Sequence, residues 1–82
     1  MDKAEVVQKL IMLMKDVLKK DAVTAEMDIM DEIGLESVEV LQFVGLAETE
    51  YGLSLPSREL RGVSTIDDLG ELIVKKLQKK AK

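Results

Sequence analysis

Apolar residues recur at helical spacing near the start of the chain. From Val6 to Leu18 they stand three or four positions apart, which is typical of a helix with one wide apolar face. Asp2 and Glu5 precede this run at the spacing of a capping box, and the pair Lys19–Lys20 follows it, where cations complement the helix dipole. The pattern predicts a first helix over residues 3–19.

A second helical pattern starts near Glu36 or Ser37 and continues to Tyr51, where Gly52 supplies a C-terminal stop. Pro56 follows and suits the opening of a further helix, because its fixed φ is already helical. We therefore predict a second main helix up to residue 51 and a short third helix over about 57–61.

The last helix is predicted over residues 66–79. Thr65 and Asp68 have the spacing of a capping box at its start, and lysines in its last turns complement the dipole. Strand-like alternation is absent from the sequence. The predicted fold class is all-α: a small four-helix bundle of three main helices and one short helix, in a single domain over residues 1–82.

The segment 20–36 has no clean period, and it is longer than the roughly 12–15 residues beyond which loops are usually functional or disordered. Scattered apolar residues argue against disorder. We expect the loop to lie across the bundle, with Ile29 and Ile33 turned inward. The full set of apolar anchors is Val23, Met27, Ile29, Met30 and Ile33.

The second helix has more apolar surface than one core-facing side requires. On a helical wheel, five residues form one arc that is wide enough to face the core: Val40, Phe43, Val44, Ala47 and Tyr51. Val38, Leu41, Gly45 and Glu48 form a separate stripe that begins beside Ser37. Exposed apolar residues are common and need no function, but this stripe, rimmed by carboxylates, equally fits a docking site for a basic partner. The carboxylates are Glu36, Glu39, Glu48 and Glu50.

Composition narrows the chemistry. The 82 residues include no cysteine and no histidine, so disulfides, thiolate metal sites and the commonest general base are excluded. An EF-hand built around Gly34 would place Ile29 and Val40 at ligand positions, so no metal site is predicted. Sixteen acidic against 12 basic residues give a formal charge of −4, which disfavours bulk binding to nucleic acid or anionic membranes.

The longest unbroken apolar run, Leu10 to Met14, is too short to span a bilayer. The charged N-terminus does not look like a signal peptide. We therefore expect a freestanding cytoplasmic monomer.

Ser37 has three candidate roles. It can be the helix N-cap, worth about 1 kcal/mol. It can be a catalytic nucleophile, but the sequence has no histidine base and no G-x-S-x-G elbow, so an enzyme is not expected. It can also be an attachment point, since a helix N-terminus favours an ester-linked phosphate and Gly34 leaves room for another protein's active site.

The stretch Asp31–Val38, read DEIGLESV, resembles the attachment signature of the acyl carrier protein family. The long loop, Pro56 and the residues that lead into the last helix extend the resemblance to about residues 3–78. It implies that Ser37 carries 4′-phosphopantetheine, with Gly34, Glu36 and Val38 around it. The arm would hold acyl groups as thioesters for fatty acid or related biosynthesis. Implied partners are a phosphopantetheinyl transferase and acyl-processing enzymes with basic patches.

Three positions depart from the family pattern. Glu36 stands where the family usually has Asp, Val38 stands where it has Leu, and Gly45 is often a larger apolar residue. These changes bear on which enzymes recognise the chain. The proposed partner-binding residues are Glu36, Val38, Glu39, Leu41, Gly45 and Glu48. The alternative interpretation is a helical interaction module that is never modified and uses the stripe of Val38 and Leu41.

Overall fold

The computed structural model describes residues 2–80, which form three α-helices and one short 3-10 helix. The elements are α1 Lys3–Asp16, α2 Ser37–Tyr51, the 3-10 helix Ser57–Glu59 and α3 Ile66–Lys80. Within residues 2–80 the extended pairing is confined to one isolated bridge between Asp28 and Thr65. The all-α fold class and the order of its elements are confirmed. None of the helices described here is both long and apolar enough to cross a membrane.

Helix α1 ends three residues earlier than its apolar pattern predicts. Asp2 caps its start by accepting a 2.9 Å hydrogen bond from the Glu5 N–H, as expected. At the other end, Val17 is the C-cap and Lys19 adopts a left-handed backbone with φ 59°. Because a left-handed residue turns the chain out of the helix, residues 17–19 leave α1, and Lys15 is the basic residue of its last turn.

The core is aliphatic and surrounds Phe43. Its largest fully buried side chains come from all three α-helices: Val6, Leu10, Met14, Phe43, Ile66, Leu69 and Ile73. Helices α1 and α3 pack closely because residue 70 is glycine: a Cβ there would lie 2.7 Å from the Val7 Cγ2. Of the arc predicted for α2, Phe43, Val44 and Ala47 are buried, while Val40 and Tyr51 are half-buried at its edge.

The long segment between α1 and α2 is fixed to the start of α3. The Ile29 N–H donates to the Ser64 carbonyl oxygen at 2.8 Å, and the Asp67 N–H donates to the Ala25 carbonyl oxygen at 3.0 Å. These bonds cross between segments far apart in sequence. They hold the loop across the bundle, as its scattered apolar residues predict.

The anchors of this loop are only partly as predicted. Val23 and Ile29 are buried, and Ile33 packs half-buried against the core. Met30, however, is 51% exposed, so its assignment as an anchor is wrong. Leu35, which the periodicity did not single out, is buried instead.

The 3-10 helix is shorter than predicted, since it ends at Glu59 rather than residue 61. Lys76 of α3 forms an ion pair with Glu59 and ties this short element to α3. The Lys80 ammonium donates to the Gly52 carbonyl oxygen at 2.7 Å, so α3 also holds the end of α2. Gly52 terminates α2 in the left-handed conformation expected of a C-terminal glycine.

Candidate functional site

Ser37 is the first residue of α2, and the residue before it is the N-cap. Glu36 has an extended backbone, and its carbonyl oxygen accepts the first helical hydrogen bond from the Val40 N–H at 2.9 Å. The Glu36 N–H in turn donates to the Glu39 carboxylate at 3.1 Å. The interpretation of Ser37 as the N-cap is therefore wrong, because Glu36 begins the helix one residue earlier.

The Ser37 side chain is exposed, and its hydroxyl takes no part in the hydrogen bonds formed among residues 2–80. It stands in the first turn of α2, where backbone N–H groups lack helical partners and the dipole is positive. An anion attached at this hydroxyl would be stabilised by both. The hydroxyl is thus free for modification, and the surrounding backbone suits a phosphate ester.

Gly34 and Leu35 set the direction in which the chain enters α2. Gly34 has φ +87°, a conformation that other residues rarely adopt, and a Cβ added there would meet no atom within 4 Å. Leu35 follows with its side chain buried and its N–H donating to the Ile29 carbonyl oxygen at 3.1 Å. An open turn and a buried anchor therefore precede Ser37. Sequence reasoning missed Leu35, although an apolar residue between Gly34 and acidic neighbours was a usable signal.

Asp28 organises the acidic turn that leads to this anchor. Its carboxylate accepts hydrogen bonds from the backbone N–H groups of Met30 at 3.0 Å and Asp31 at 2.8 Å. Its own N–H donates to the Glu32 carboxylate at 3.0 Å. These carboxylates satisfy loop backbone that would otherwise lack partners. Asp28 is a second residue that the sequence pattern did not reveal.

The first two residues of the stripe beside Ser37 are exposed, as predicted, whereas Gly45 is half-buried. Val38 and Leu41 are each 65% exposed. Two of the carboxylates expected at its rim, however, accept hydrogen bonds from the backbone. Glu39 accepts from the Glu36 N–H, and Glu48 accepts from the Leu55 N–H at 2.7 Å. Both are half-buried. They position the two ends of α2 in addition to contributing charge.

A cavity of about 260 Å³ lies beneath the N-terminal half of α2. Its walls are mainly apolar and come from α2, the 3-10 region and α3, with the backbone turn 28–31 on one side. The apolar side chains include Val40, Phe43, Val44, Leu60, Val63 and Leu69. Val40 follows Ser37 by three residues, so the cavity begins within one helical turn of the candidate site.

Two carboxylates adjacent in sequence to lining residues of this cavity, Glu59 and Asp68, have lowered pKa values. The pKa of Asp68 lies below its ordinary value of 3.8, chiefly because the Ser64 N–H donates to it at 3.1 Å, with further bonds from Thr65. The Asp68 N–H donates back to the Thr65 hydroxyl at 3.0 Å, which confirms the predicted capping box of α3. The pKa of Glu59 is lowered chiefly by its hydrogen bond to Lys76.

The chain belongs to the family of phosphopantetheine attachment sites, which residues 8–73 match. In this family 4′-phosphopantetheine is the covalently bound cofactor. Within residues 2–80, no cluster of three or more acidic side chains is arranged to hold a metal ion. The exposed hydroxyl of Ser37, the helix N-terminus behind it and the open space at Gly34 fit the cofactor that the family requires.

Individual relatives are proteins named acyl carrier protein. The chain is 24% identical over 74 residues to the acyl carrier protein of Saccharopolyspora erythraea, covering 88% of this chain and 78% of that one. It is 29% identical over 56 residues to the acyl carrier protein of Bdellovibrio bacteriovorus, covering 68% and 72%. It is also 29% identical over 69 residues to mitochondrial acyl carrier protein 2 of Arabidopsis thaliana, covering 82% of this chain and 55% of that one.

Proposed function

We propose that residues 1–82 form a single acyl carrier domain in which the Ser37 hydroxyl oxygen carries 4′-phosphopantetheine. The observation that supports this most directly is an exposed hydroxyl in the first turn of α2 that forms no hydrogen bond within residues 2–80, in a chain of the phosphopantetheine attachment family. The arm supplies a thiol, which the sequence itself lacks, and that thiol holds an acyl group as a thioester.

The chain's own residues bind and orient rather than catalyse. The first turn of α2 stabilises the negative charge of the phosphate through its free N–H groups. Gly34 leaves space beside Ser37, Glu36 sets the start of the helix, and Val38 offers an exposed apolar contact. With no histidine in the sequence to activate Ser37, the base must come from the transferase that modifies it.

The apolar cavity beneath α2 is the proposed shelter for the acyl chain. An engineered apolar cavity of about 150 Å³ binds benzene, which has six carbons. The cavity here, at about 260 Å³, has room for a medium-length aliphatic chain by the same measure. Burial of each methylene would contribute about 0.8 kcal/mol, so a saturated chain is favoured over a polar one. Fatty acid biosynthesis or a related lipid or polyketide pathway is the matching role.

The proposed partners are a phosphopantetheinyl transferase and acyl-processing enzymes that present basic patches. Helix α2 contains Glu39, Glu48 and Glu50 but no lysine or arginine, and Val38 and Leu41 are exposed on the same helix. Acidic charge of this kind steers a basic partner toward Ser37. The exposed apolar residues then give the partner a surface to bind.

Intact mass spectrometry tests the attachment. Wild type, Ser37→Ala and Ser57→Ala are incubated with coenzyme A and a phosphopantetheinyl transferase of broad specificity. Ser57 is the matched control, because it is also an exposed serine at the first residue of a helical element. We expect one phosphopantetheine mass on wild type and on Ser57→Ala, and none on Ser37→Ala. A wild-type chain that stays unmodified would instead favour an interaction module that uses Val38 and Leu41.

A further inference from the structure

One wall of the cavity beneath α2 is formed by the connector, residues 53–65, which joins α2 to α3. Leu60, Val63 and Ser64 of the connector line the cavity. Leu60 and Val63 are half-buried and pack against the core. Side chains that border a cavity lack partner atoms on that side, so dispersion holds them less firmly than fully packed side chains. The shape of the cavity therefore depends on the bonds that hold the connector in place.

The backbone of the connector is bonded to other elements near its ends but not in its middle. Near α2, the Leu55 N–H donates to the Glu48 carboxylate at 2.7 Å. Near α3, the Ser64 carbonyl oxygen accepts from the Ile29 N–H at 2.8 Å. Within the described chain, the backbone–backbone bonds of residues 56–63 join connector residues only to one another. In this part of the structure the middle of the connector is therefore held to the bundle by its side chains.

Two lysines of α3, one helical turn apart, reach the connector and the glycine before it. The Lys76 ammonium forms an ion pair with the Glu59 carboxylate. The Lys80 ammonium donates to the Gly52 carbonyl oxygen at 2.7 Å. Compensation of the helix dipole would require neither contact. The two lysines therefore have a second effect, which is to tie α3 to the segment that follows α2.

The pair Lys76–Glu59 is the least exposed ion pair among residues 2–80. Its side chains are 24% and 31% exposed, whereas those of the other pairs are 39% exposed or more. Charges that are partly shielded from solvent are screened less by salt than exposed charges. Among the described residues, this pair is also the only polar side-chain bond between the middle of the connector and another element. Glu59 directly precedes Leu60, so the pair acts next to the cavity wall.

We propose that Lys76 is a positioning residue: through Glu59 it holds the connector against a bound acyl chain and sets how long that chain stays in the cavity. This inference rests on the proposed function, which makes the cavity the shelter. The ion pair biases the connector toward its closed position. When the pair opens, Leu60 and Val63 are free to move outward, and the acyl chain leaves the cavity more often. Acyl groups too short to enter the cavity do not depend on the pair.

The test uses the full chain loaded at Ser37 with an octanoyl or an acetyl thioester. Lys76→Gln and Glu59→Gln each break the pair, and the double variant Glu59→Lys/Lys76→Glu restores it with the charges exchanged. Lys75→Gln is the matched control, since it removes one positive charge from the neighbouring residue, whose pair with Glu71 is exposed and 3.9 Å long. Cleavage of each thioester by hydroxylamine is followed by intact mass.

Hydrogen exchange gives a second measurement that needs no acyl group. The Leu60 amide donates to the Ser57 carbonyl oxygen at 3.0 Å inside the connector. Its exchange in the unmodified chain therefore reports opening of this segment. Lys76→Gln should speed that exchange while the amides of α1 exchange as in wild type. Thermal melting reports folding of every variant.

We expect Lys76→Gln and Glu59→Gln to cleave the octanoyl thioester about two- to fivefold faster than wild type, as for loss of a modest ion pair. The exchanged pair should return the rate toward that of wild type. Lys75→Gln should match wild type, and the acetyl thioester should show no difference. If the single variants fold poorly, wild type decides the question, because salt near 1 M should raise its ratio of octanoyl to acetyl cleavage.

Three results would overturn the role of Lys76 while leaving the attachment at Ser37 intact. They are octanoyl cleavage at the wild-type rate in both single variants, equal acceleration of acetyl cleavage, and unchanged exchange of the Leu60 amide in Lys76→Gln. Failure of wild type to load with phosphopantetheine would overturn both proposals.

Discussion

The Leu35 N–H donates a 3.1 Å hydrogen bond to the Ile29 carbonyl oxygen, and both side chains are buried. This pairing closes the acidic turn between them and fixes the chain two residues before Ser37. The turn itself is exposed, and Met30 within it is 51% exposed to solvent. Two apolar anchors therefore fix the ends of the turn before Ser37, and the Asp28 carboxylate satisfies backbone N–H groups between them.

Leu35→Ala should destabilise the domain by about 2–5 kcal/mol, the range for truncating a buried leucine. It should also slow loading of Ser37, because the residues before α2 lose their anchor. Urea unfolding measures the first effect and intact mass the second. Met30→Ala is the control, since an exposed neighbour should shift stability by no more than about 0.5 kcal/mol. Equal stability of the two variants would contradict the assignment of Leu35 as an anchor.

Val38→Ser and Leu41→Ser should leave stability within about 0.5 kcal/mol, because each side chain is 65% exposed. Both should nevertheless slow loading by the transferase, since they remove apolar contact area beside Ser37. Melting and loading rates measured on the same samples separate the two effects. Val44→Ser, which alters a buried residue of the same helix, should instead destabilise strongly. Unfolding of either stripe variant would place that residue in the core.

Glu39→Gln and Glu48→Gln should lower the association rate with a basic partner enzyme. Glutamine keeps an oxygen that can accept the hydrogen bonds from Glu36 and Leu55, so the substitutions remove charge with the least change in structure. Steering by charge must fade with salt, because the screening length falls from about 10 Å at 0.1 M to about 3 Å at 1 M.

Glu71→Gln on α3 is the control, since it also removes one negative charge, at an exposed position. Association rates for the three variants and wild type are measured against ionic strength. The curves for positions 39 and 48 should start below wild type and converge with it at high salt. If the curves for Glu39→Gln and Glu48→Gln coincided with that for Glu71→Gln at every ionic strength, these two carboxylates would have only a local structural role.

Asp68→Asn should destabilise the domain near neutral pH and progressively less in acid. The pKa of Asp68 is lowered in the folded state, so its charged form stabilises folding. That contribution is present above the ordinary pKa of 3.8 and is lost as the pH falls through the lowered folded value. Denaturant unfolding of wild type and Asp68→Asn as a function of pH measures it. Asp31→Asn is the control. A difference in unfolding free energy between wild type and Asp68→Asn that does not shrink in acid would contradict the assignment.

Val63→Phe should reduce protection of a bound acyl chain, because Val63 lines the cavity beneath α2 and a larger side chain would fill it. Cleavage of an octanoyl thioester by hydroxylamine is a suitable measurement. We expect faster cleavage in Val63→Phe than in wild type, while an acetyl thioester, too short to enter, should show no difference. Val74→Phe provides a control at a half-buried position outside the cavity lining. Equal octanoyl cleavage in Val63→Phe and wild type would exclude this cavity as the shelter.

The features that sequence could predict are those set by neighbours along the chain. Helical periodicity places Phe43 and Leu69 in the core, and the spacing of Thr65 and Asp68 identifies a cap that the structure confirms. The end of α1 differs from the prediction because Lys19, not glycine, adopts the left-handed conformation there. The bond from the Leu55 N–H to the Glu48 carboxylate and the bonds that join the loop to α3 depend on how separate segments pack, which no helical periodicity contains.

The two backbone bonds that join the loop to α3, from Ile29 to Ser64 and from Asp67 to Ala25, have a consequence for hydrogen exchange. Both amides are held by partners in the other segment, so neither can open while the segments stay docked. The Ile29 and Asp67 amides should therefore exchange together in one subglobal opening. That event would also release the turn before Ser37, which makes the proposed attachment point and the start of α3 one cooperative unit.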